Sequence, residues 1–216
     1  MTDVTKFNGQ TKREEIANSV THGIGALLAL AGTIVLLAAA ILHSDGAGIF
    51  SAFFYGISLV VLYTFSTLYH AAAGPRKKVL QKLDHCSIYF LILGSYAPLC
   101  LVLLDGLASR ILFIMNAVCA VAGMVLNCLD IRRFHKLSLA MYLIMGWSCV
   151  FVLPPIFART ELIGKILLVA GGLLYTVGVF FYVNRTHRYM HSVWHLFVLG
   201  GSATHYFFIL FYTILN

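Results

Sequence analysis

Two histidines one helical turn apart, His191 and His195, stand in a chain otherwise made of apolar segments. His70 and Asp84 fall at the corresponding ends of two other such segments, with Ser66 one turn before His70. Residues four apart on a helix share a face, so His191 and His195 offer two ligand nitrogens side by side, a spacing that recurs in zinc sites. With His70 as a third imidazole, an oxygen ligand or a water would complete the tetrahedron that Zn²⁺ prefers. Asp84 could be a direct ligand, or it could hold and deprotonate a metal-bound water, whose pKa the metal lowers toward about 7. Ser66 could donate to Asp84, to that water or to a substrate carbonyl. Ionisable groups at such a depth are costly unless they pair, bind a metal or line a water path. Spacing and position therefore predict a metal or proton-handling site.

The elements that must carry these residues are long and apolar. The 216 residues are 60% hydrophobic and only 11% charged, against about 25% charge in an ordinary soluble domain, and mean hydropathy is +0.89. Seven stretches come near the roughly 20 residues needed to cross about 30 Å of hydrocarbon: 21–42, 50–71, 84–104, 109–129, 137–153, 163–183 and 191–213. Segments such as Gly25 to Leu42 and Ile166 to Val183 have no polar face of the kind a soluble bundle requires. The expected fold is an all-α seven-transmembrane helix bundle, residues 21–216, preceded by a cytoplasmic N-terminal segment, residues 1–20. No room is left for a separate soluble catalytic or receptor domain.

The net charge of +7 is placed as in a membrane protein, not a nucleic-acid binder. Lys6, Lys12 and Arg13 precede the first span; Arg76, Lys77, Lys78 and Lys82 join the second to the third; Arg132, Arg133 and Lys136 join the fourth to the fifth; Arg185 and Arg188 join the sixth to the seventh. The other side holds only Arg110, Arg159 and Lys165. Twelve against three is a positive-inside bias, which puts the N-terminus in the cytoplasm and the C-terminus outside. It also puts His70, Asp84, His191 and His195 in one layer near the cytoplasmic face. The first apolar run is too long for the core of a signal peptide, so no secretory cleavage is expected. Residues 10–20 read equally as an interfacial amphipathic run resting Ile16, Ala17 and Val20 on the headgroups, or as a polar tail continuing the first helix.

The other polar and special residues have plainer expectations. His22, His43, His135 and His187 are expected at the membrane interface, and His85 points about 100° away from Asp84. His205 lies ~15 Å along the axis from His195, outside reach of the same ion, and is expected in a structural role, hydrogen-bonding within the bundle with Tyr206 or Ser202 nearby. Cys86, Cys100, Cys119, Cys128 and Cys149 lie within or at the ends of spans without CxxC spacing, so they are expected as small buried hydrophobes without disulfides. Pro98 should bend the third helix, and Pro154 with Pro155 should stop the fifth. Glycines such as Gly94, Gly123 and Gly201 should let helices approach closely.

At this point the motifs have a resemblance. Ser66-x3-His70, the run Leu83-Asp84-His85-x2-Ile88-Tyr89 into Gly94-Ser95-Tyr96-x-Pro98, and His191-x3-His195 before Gly201-Ser202-x2-His205 resemble the bacterial haemolysin III family, within the wider group of progestin and adiponectin receptors. The opening Glu14-Glu15-Ile16-Ala17-Asn18-Ser19-x2-His22-Gly23 also looks like that family. The resemblance runs from about residue 14 to the end. It implies seven helices with Zn²⁺ near the cytoplasmic face, held by His70, His191 and His195, and with Asp84 and Ser66 grouped around the metal-bound water. A likeness of this site to alkaline ceramidases implies hydrolysis of a lipid amide or other lipid bond, with Asp84 as general base and Ser66 orienting substrate or oxyanion. The acyl chain would then lie among Phe65, Leu68, Tyr89 and Leu196. The same family resemblance also allows a non-catalytic sensor or regulator of membrane lipid composition with a structural zinc. A transporter or proton channel is less favoured, because no ionisable residues continue a path through the other spans. Lytic activity has no physical basis in a chain too hydrophobic to be secreted in soluble form. The expected place is a bacterial cytoplasmic (inner) membrane, with membrane lipids as partners, homo-oligomers allowed, and no nucleic acid or soluble partner implied.

Overall fold

The computed structural model describes residues 10–184 and 186–216. Residues 1–9, including Lys6, and Arg185 lie outside the described residues, so those two members of the charge count have no structural account. The described residues form helices joined by short links, without a strand. In chain order these are α1 (Lys12–His43), α2 (Gly46–Ala71), α3 (Arg76–Pro98), α4 (Leu107–Trp147), α5 (Leu153–Ala158), α6 (Leu162–Val183) and α7 (Met190–Ile209).

Local chemistry sets the ends of these helices. A capping box starts α1: the Glu14 N–H donates to Thr11 Oγ1, and the Thr11 N–H donates to Glu14 Oε2 at 2.8 Å. The Asp45 carboxylate accepts the Gly48 N–H at 2.9 Å and starts α2. Pro98 closes α3, and the chain widens into a π turn over Leu99–Leu103, since proline gives no N–H to the α ladder. Pro154 and Pro155 act differently from the expectation. The end of the preceding helix tightens to 3₁₀ over Ser148–Val152, and the two prolines open the short α5, where the first turn needs no donor from them.

Among the described residues, six segments are long and apolar enough to cross a membrane: Lys12–His43, Gly46–Ala71, Arg76–Leu103, Leu107–Ala158, Leu162–Val183 and Met190–Ile214. Their outward faces carry Leu27, Leu28, Leu107, Phe151 and Leu162, all well exposed. That much apolar surface suits hydrocarbon and not water. Inside, Leu36, Ala40, Ala52, Tyr55, Leu62 and Ile156 belong to one continuous core. α1 packs mainly on α2, α2 on α3, α3 on α4 and α6 on α7, and α7 returns to α1. That return is what brings the first and last helices to the same site. Close approach depends on glycine at Gly94, where a Cβ would stand 2.2 Å from Ser58 Oγ.

The longest segment is broken. Asp130, at φ −157° and ψ 101°, leaves the helical region inside α4, and its carboxylate accepts the N–H groups of Arg132 and Arg133 at 2.9 and 3.1 Å. Asn116 donates to Ser148 Oγ at 2.9 Å, and Ser138 donates to Asn127 Oδ1 at 2.8 Å. Each pair sits about equally far on either side of Arg132. Residues 107–129 and 131–147 therefore lie against each other in opposite directions. In an uninterrupted helix, Asn116 and Ser148 would stand ~48 Å apart.

Candidate metal centre

The last turn of α2 delivers His70, and the first two turns of α7 deliver His191 and His195. α7 begins from an unusual backbone. Tyr189 is the one described non-glycine residue at positive φ, at 63°, a conformation that costs a side-chain-bearing residue about 1–2 kcal/mol. Its N–H donates to Glu14 Oε1 at 2.9 Å, and the turn so held sets the register of His191 two residues later.

The three imidazoles converge. Ring centroids are 5.1 Å apart for His70 and His191, 5.1 Å for His70 and His195, and 4.7 Å for His191 and His195. One ligand nitrogen from each lies within 4.8 Å of the other two. Zinc–nitrogen bonds near 2.1 Å hold two ligands on one ion at most ~4.2 Å apart, so small side-chain rotations suffice. His70 and His195 are buried, and His70 Nε2 has no hydrogen-bond partner there. A buried polar atom without a partner is costly, and a metal ion would meet its need. The trio could hold a metal ion, and the donor set fits one.

Asp84 and Ser66 form a second pair beside this trio. Asp84 lies on α3 with only 13% of its side chain exposed, its Oδ2 3.6 Å from His85 Nδ1, and the Ser66 side chain of α2 lies near the carboxyl. Ser66 is buried on α2 one turn from His70. The Asp84 carboxyl is not among the clustered ligand atoms. His85 Nδ1 also bonds Gln81 O at 2.9 Å.

Several expectations need correction. His22 is not interfacial: it is 3% exposed, stacked on His195 with centroids 3.5 Å apart and planes 11° apart, with its edge toward Tyr63 at 5.0 Å. Neither of its ring nitrogens has a hydrogen-bond partner. His43 and His187 are exposed and His135 is half-buried. His205 does hydrogen-bond within the bundle, and its partner is Leu168 O at 3.1 Å. Ser202 Oγ instead joins the hydroxyls of Tyr63 and Tyr175, at 2.7 and 2.8 Å.

The residues missed in the sequence are on α1. Glu15 Oε2 lies 2.7 Å from His70 Nδ1 and 3.0 Å from Lys77 Nζ. His195 Nδ1 lies 3.2 Å from the Asn18 carbonyl and 3.2 Å from Thr21 Oγ1. The Asn18 side chain donates to Gln10 Oε1 and accepts from Ser192 Oγ. A signal for this was present. Glu14, Asn18 and His22 recur at helical period and are buried, while Ile16, Val20 and Ile24 on the opposite face are exposed. The amphipathic run is inverted, with its polar face inward.

An apolar cavity lies near the centre, and none of His70, His191, His195, Asp84 and Ser66 lines it. Tyr182 and Trp194 line its near end, with Tyr182 5.8 Å from the His191 ring, and Val198, Tyr175, Tyr55 and Phe208 line it further in. None of Phe65, Leu68, Tyr89 and Leu196 lines it. Leu68 and Leu196 face outward, and Tyr89 is fully buried against Tyr142 and the bare backbone of Gly123.

Known proteins resemble this chain along most of its length. A family model described as "Haemolysin-III related" matches residues 10–206. "Hemolysin-3" of Bacillus cereus is 40% identical over 215 residues, covering 99% of this chain and 96% of the relative. "Hemolysin-3 homolog" of Bacillus subtilis is 38% identical over 205 residues, covering 94% and 96%. "Monocyte to macrophage differentiation factor" of Homo sapiens is 32% identical over 205 residues, covering 91% and 83%. Together with the six apolar helices among the described residues, the bacterial relatives indicate a multi-pass membrane protein, consistent with the bacterial inner membrane. The chain belongs to the haemolysin III family.

Proposed function

We propose that this protein is a zinc-dependent hydrolase of a ceramide-like lipid amide, reached from the inner leaflet. The observation that carries this reading is a conjunction: three converging imidazoles, Ser66 one helical turn from His70 with Asp84 near it, and an apolar cavity lined by Trp194 and Val198 of the helix that carries His191 and His195. His70, His191 and His195 would hold the ion. Zinc bound by three protein ligands supplies a Lewis acid for a carbonyl and lowers the pKa of a water at the open position. Asp84 is the general base, taking the proton of the attacking water and returning it to the leaving amine. Ser66 fixes the Asp84 carboxyl and orients the substrate carbonyl. The cavity walls of Tyr182, Trp194 and Val198 take the acyl chain and exclude bulk water.

The two halves of α4 are read here as separate passes, which makes seven spans. The twelve-to-three distribution of Lys and Arg then puts the N-terminus in the cytoplasm, the C-terminus outside and the metal centre near the cytoplasmic face. A second reading is a regulator of membrane lipid composition with a structural zinc. It is favoured by the origin of the three ligands on two helices far apart in sequence, which an ion would clamp together.

Elemental analysis and lipid turnover by the purified protein in bilayers separate the two. Zinc should be lost in His191→Ala and kept in His205→Ala. An Asp84→Asn variant that keeps zinc and fold but no longer cleaves ceramide supports the hydrolase. Zinc-loaded wild type without turnover of ceramide or phospholipid, and an Asp84→Asn variant indistinguishable from it, leave the regulator.

A further inference from the structure

We propose that α1, which supplies no ligand, sets how tightly the metal is held. It does so by fixing the tautomers of His70 and His195 so that both present Nε2. The inference rests on the reading that the three histidines bind a divalent metal, and it concerns what lies behind them.

The donor and acceptor inventory decides the tautomers. Two groups meet His70 Nδ1: Glu15 Oε2 at 2.7 Å and the Asn18 Nδ2 donor at 3.4 Å. The carboxylate, with Lys77 Nζ 3.0 Å from it, can only accept, and its contact is the shorter of the two, while the Asn18 amide donates to Gln10 Oε1 at 2.8 Å. The carboxylate therefore places the proton on Nδ1 and leaves the lone pair on Nε2. That is the atom left buried and without a partner. The Asn18 carbonyl can likewise only accept, and it lies 3.2 Å from His195 Nδ1. The hydroxyl of Thr21 has one proton, directed to the carbonyls of Ala17 and Asn18 at 2.9 Å each, so it too accepts from His195 Nδ1.

The same stretch of α1 holds these contacts rigid. The Asn18 side chain accepts from Ser192, the residue after His191, and Glu14 secures the Tyr189 turn before it. Lys77 Nζ is 3.0 Å from Glu15 Oε2 and donates to Tyr69 O at 3.1 Å, which locks the carboxylate against the end of α2. His22 lies flat against His195 and blocks rotation of that ring. Partners of this kind typically change metal affinity by about 10–100-fold, because they orient the ring and raise its basicity.

The test uses the full-length protein in lipid nanodiscs, with zinc affinity read by competition against a chelator and the histidine tautomers read by nitrogen NMR. Wild type should bind one zinc and show Nδ1–H, Nε2-ligated signals for His70 and His195. Glu15→Ala should weaken zinc about 10–100-fold and lose the single tautomer at His70. Glu15→Gln, which keeps shape and one acceptor, should fall between. If the metal-free Glu15→Ala protein fails to fold, the isosteric Glu15→Gln decides alone, through the same two readouts. Wild-type affinity and an unchanged His70 tautomer in a folded Glu15 variant would overturn the proposal while leaving the metal site standing. Wild type that binds no zinc would instead overturn the metal reading, and this inference with it.

Discussion

Spin labels on Ile114 and Val150 distinguish a folded-back α4 from a continuous one. Both positions are exposed, at 62% and 48%, so labels there disturb no core contact. They flank the hydrogen-bonded pair Asn116 and Ser148, two residues outside it on each arm. In one uninterrupted helix they would stand ~54 Å apart, from 1.5 Å of rise per residue. If the chain reverses at Asp130, the two arms pack side by side with axes about 8–10 Å apart. Even with a label arm on each, the spin–spin distance then stays below half of the ~54 Å value. The measurement is double electron–electron resonance on Ile114→Cys with Val150→Cys, with the five native cysteines replaced by alanine. A single population near ~50 Å would refute the fold-back, and with it the seven-span count and the placement of the two termini on opposite sides of the membrane.

Two further outcomes follow from contacts away from the centre. Gly94→Ala puts a Cβ 2.2 Å from Ser58 Oγ and 2.7 Å from Ser58 Cβ, an overpacking that costs about 1–3 kcal/mol. It should lower the thermal midpoint in detergent by several degrees, whereas Gly46→Ala, with nothing within 4 Å, should not. Equal midpoints would mean that α2 and α3 can part freely at Gly94. Cys86 Sγ and Cys128 Sγ lie 3.9 Å apart on α3 and α4, as free thiols, and a disulfide needs about 2.05 Å. Copper–phenanthroline should therefore link them, as read by peptide mapping without reduction. Failure to link while exposed Cys128 still alkylates would show that the helices hold the sulfurs apart.

The histidine trio was legible because its signal is local and its geometry helical. His191 and His195 share a face whatever surrounds them, and the distribution of Lys and Arg put His70 in the same layer. The spans were legible because hydrocarbon demands long apolar helices, and the break in α4 falls in the charged run between the fourth and fifth stretches. The outcome was different wherever a face had to be chosen on a helix that is apolar all round. Leu68 and Leu196 look no less suited to a cavity than Leu62 and Val198, yet the first two face outward and the last two line it. Which side meets lipid is decided by the neighbours of the helix, and a single stretch of sequence does not contain them.

α1 shows the same difficulty with the opposite sign. A polar stripe beside an apolar one near a membrane surface suggests an apolar face on the headgroups and a polar face in water. That inference presumes water on the polar side. In this bundle α7 returns to α1, so the polar side meets the imidazoles of His70 and His195, and Glu15, Asn18 and Thr21 have partners there that water would otherwise provide. Burying these groups is tolerable because each finds a bond of fixed direction, and fixed direction is what a ligand histidine needs. The polar residues that satisfy the entrance of the first helix are therefore the same ones that meet the ring nitrogens of His70 and His195.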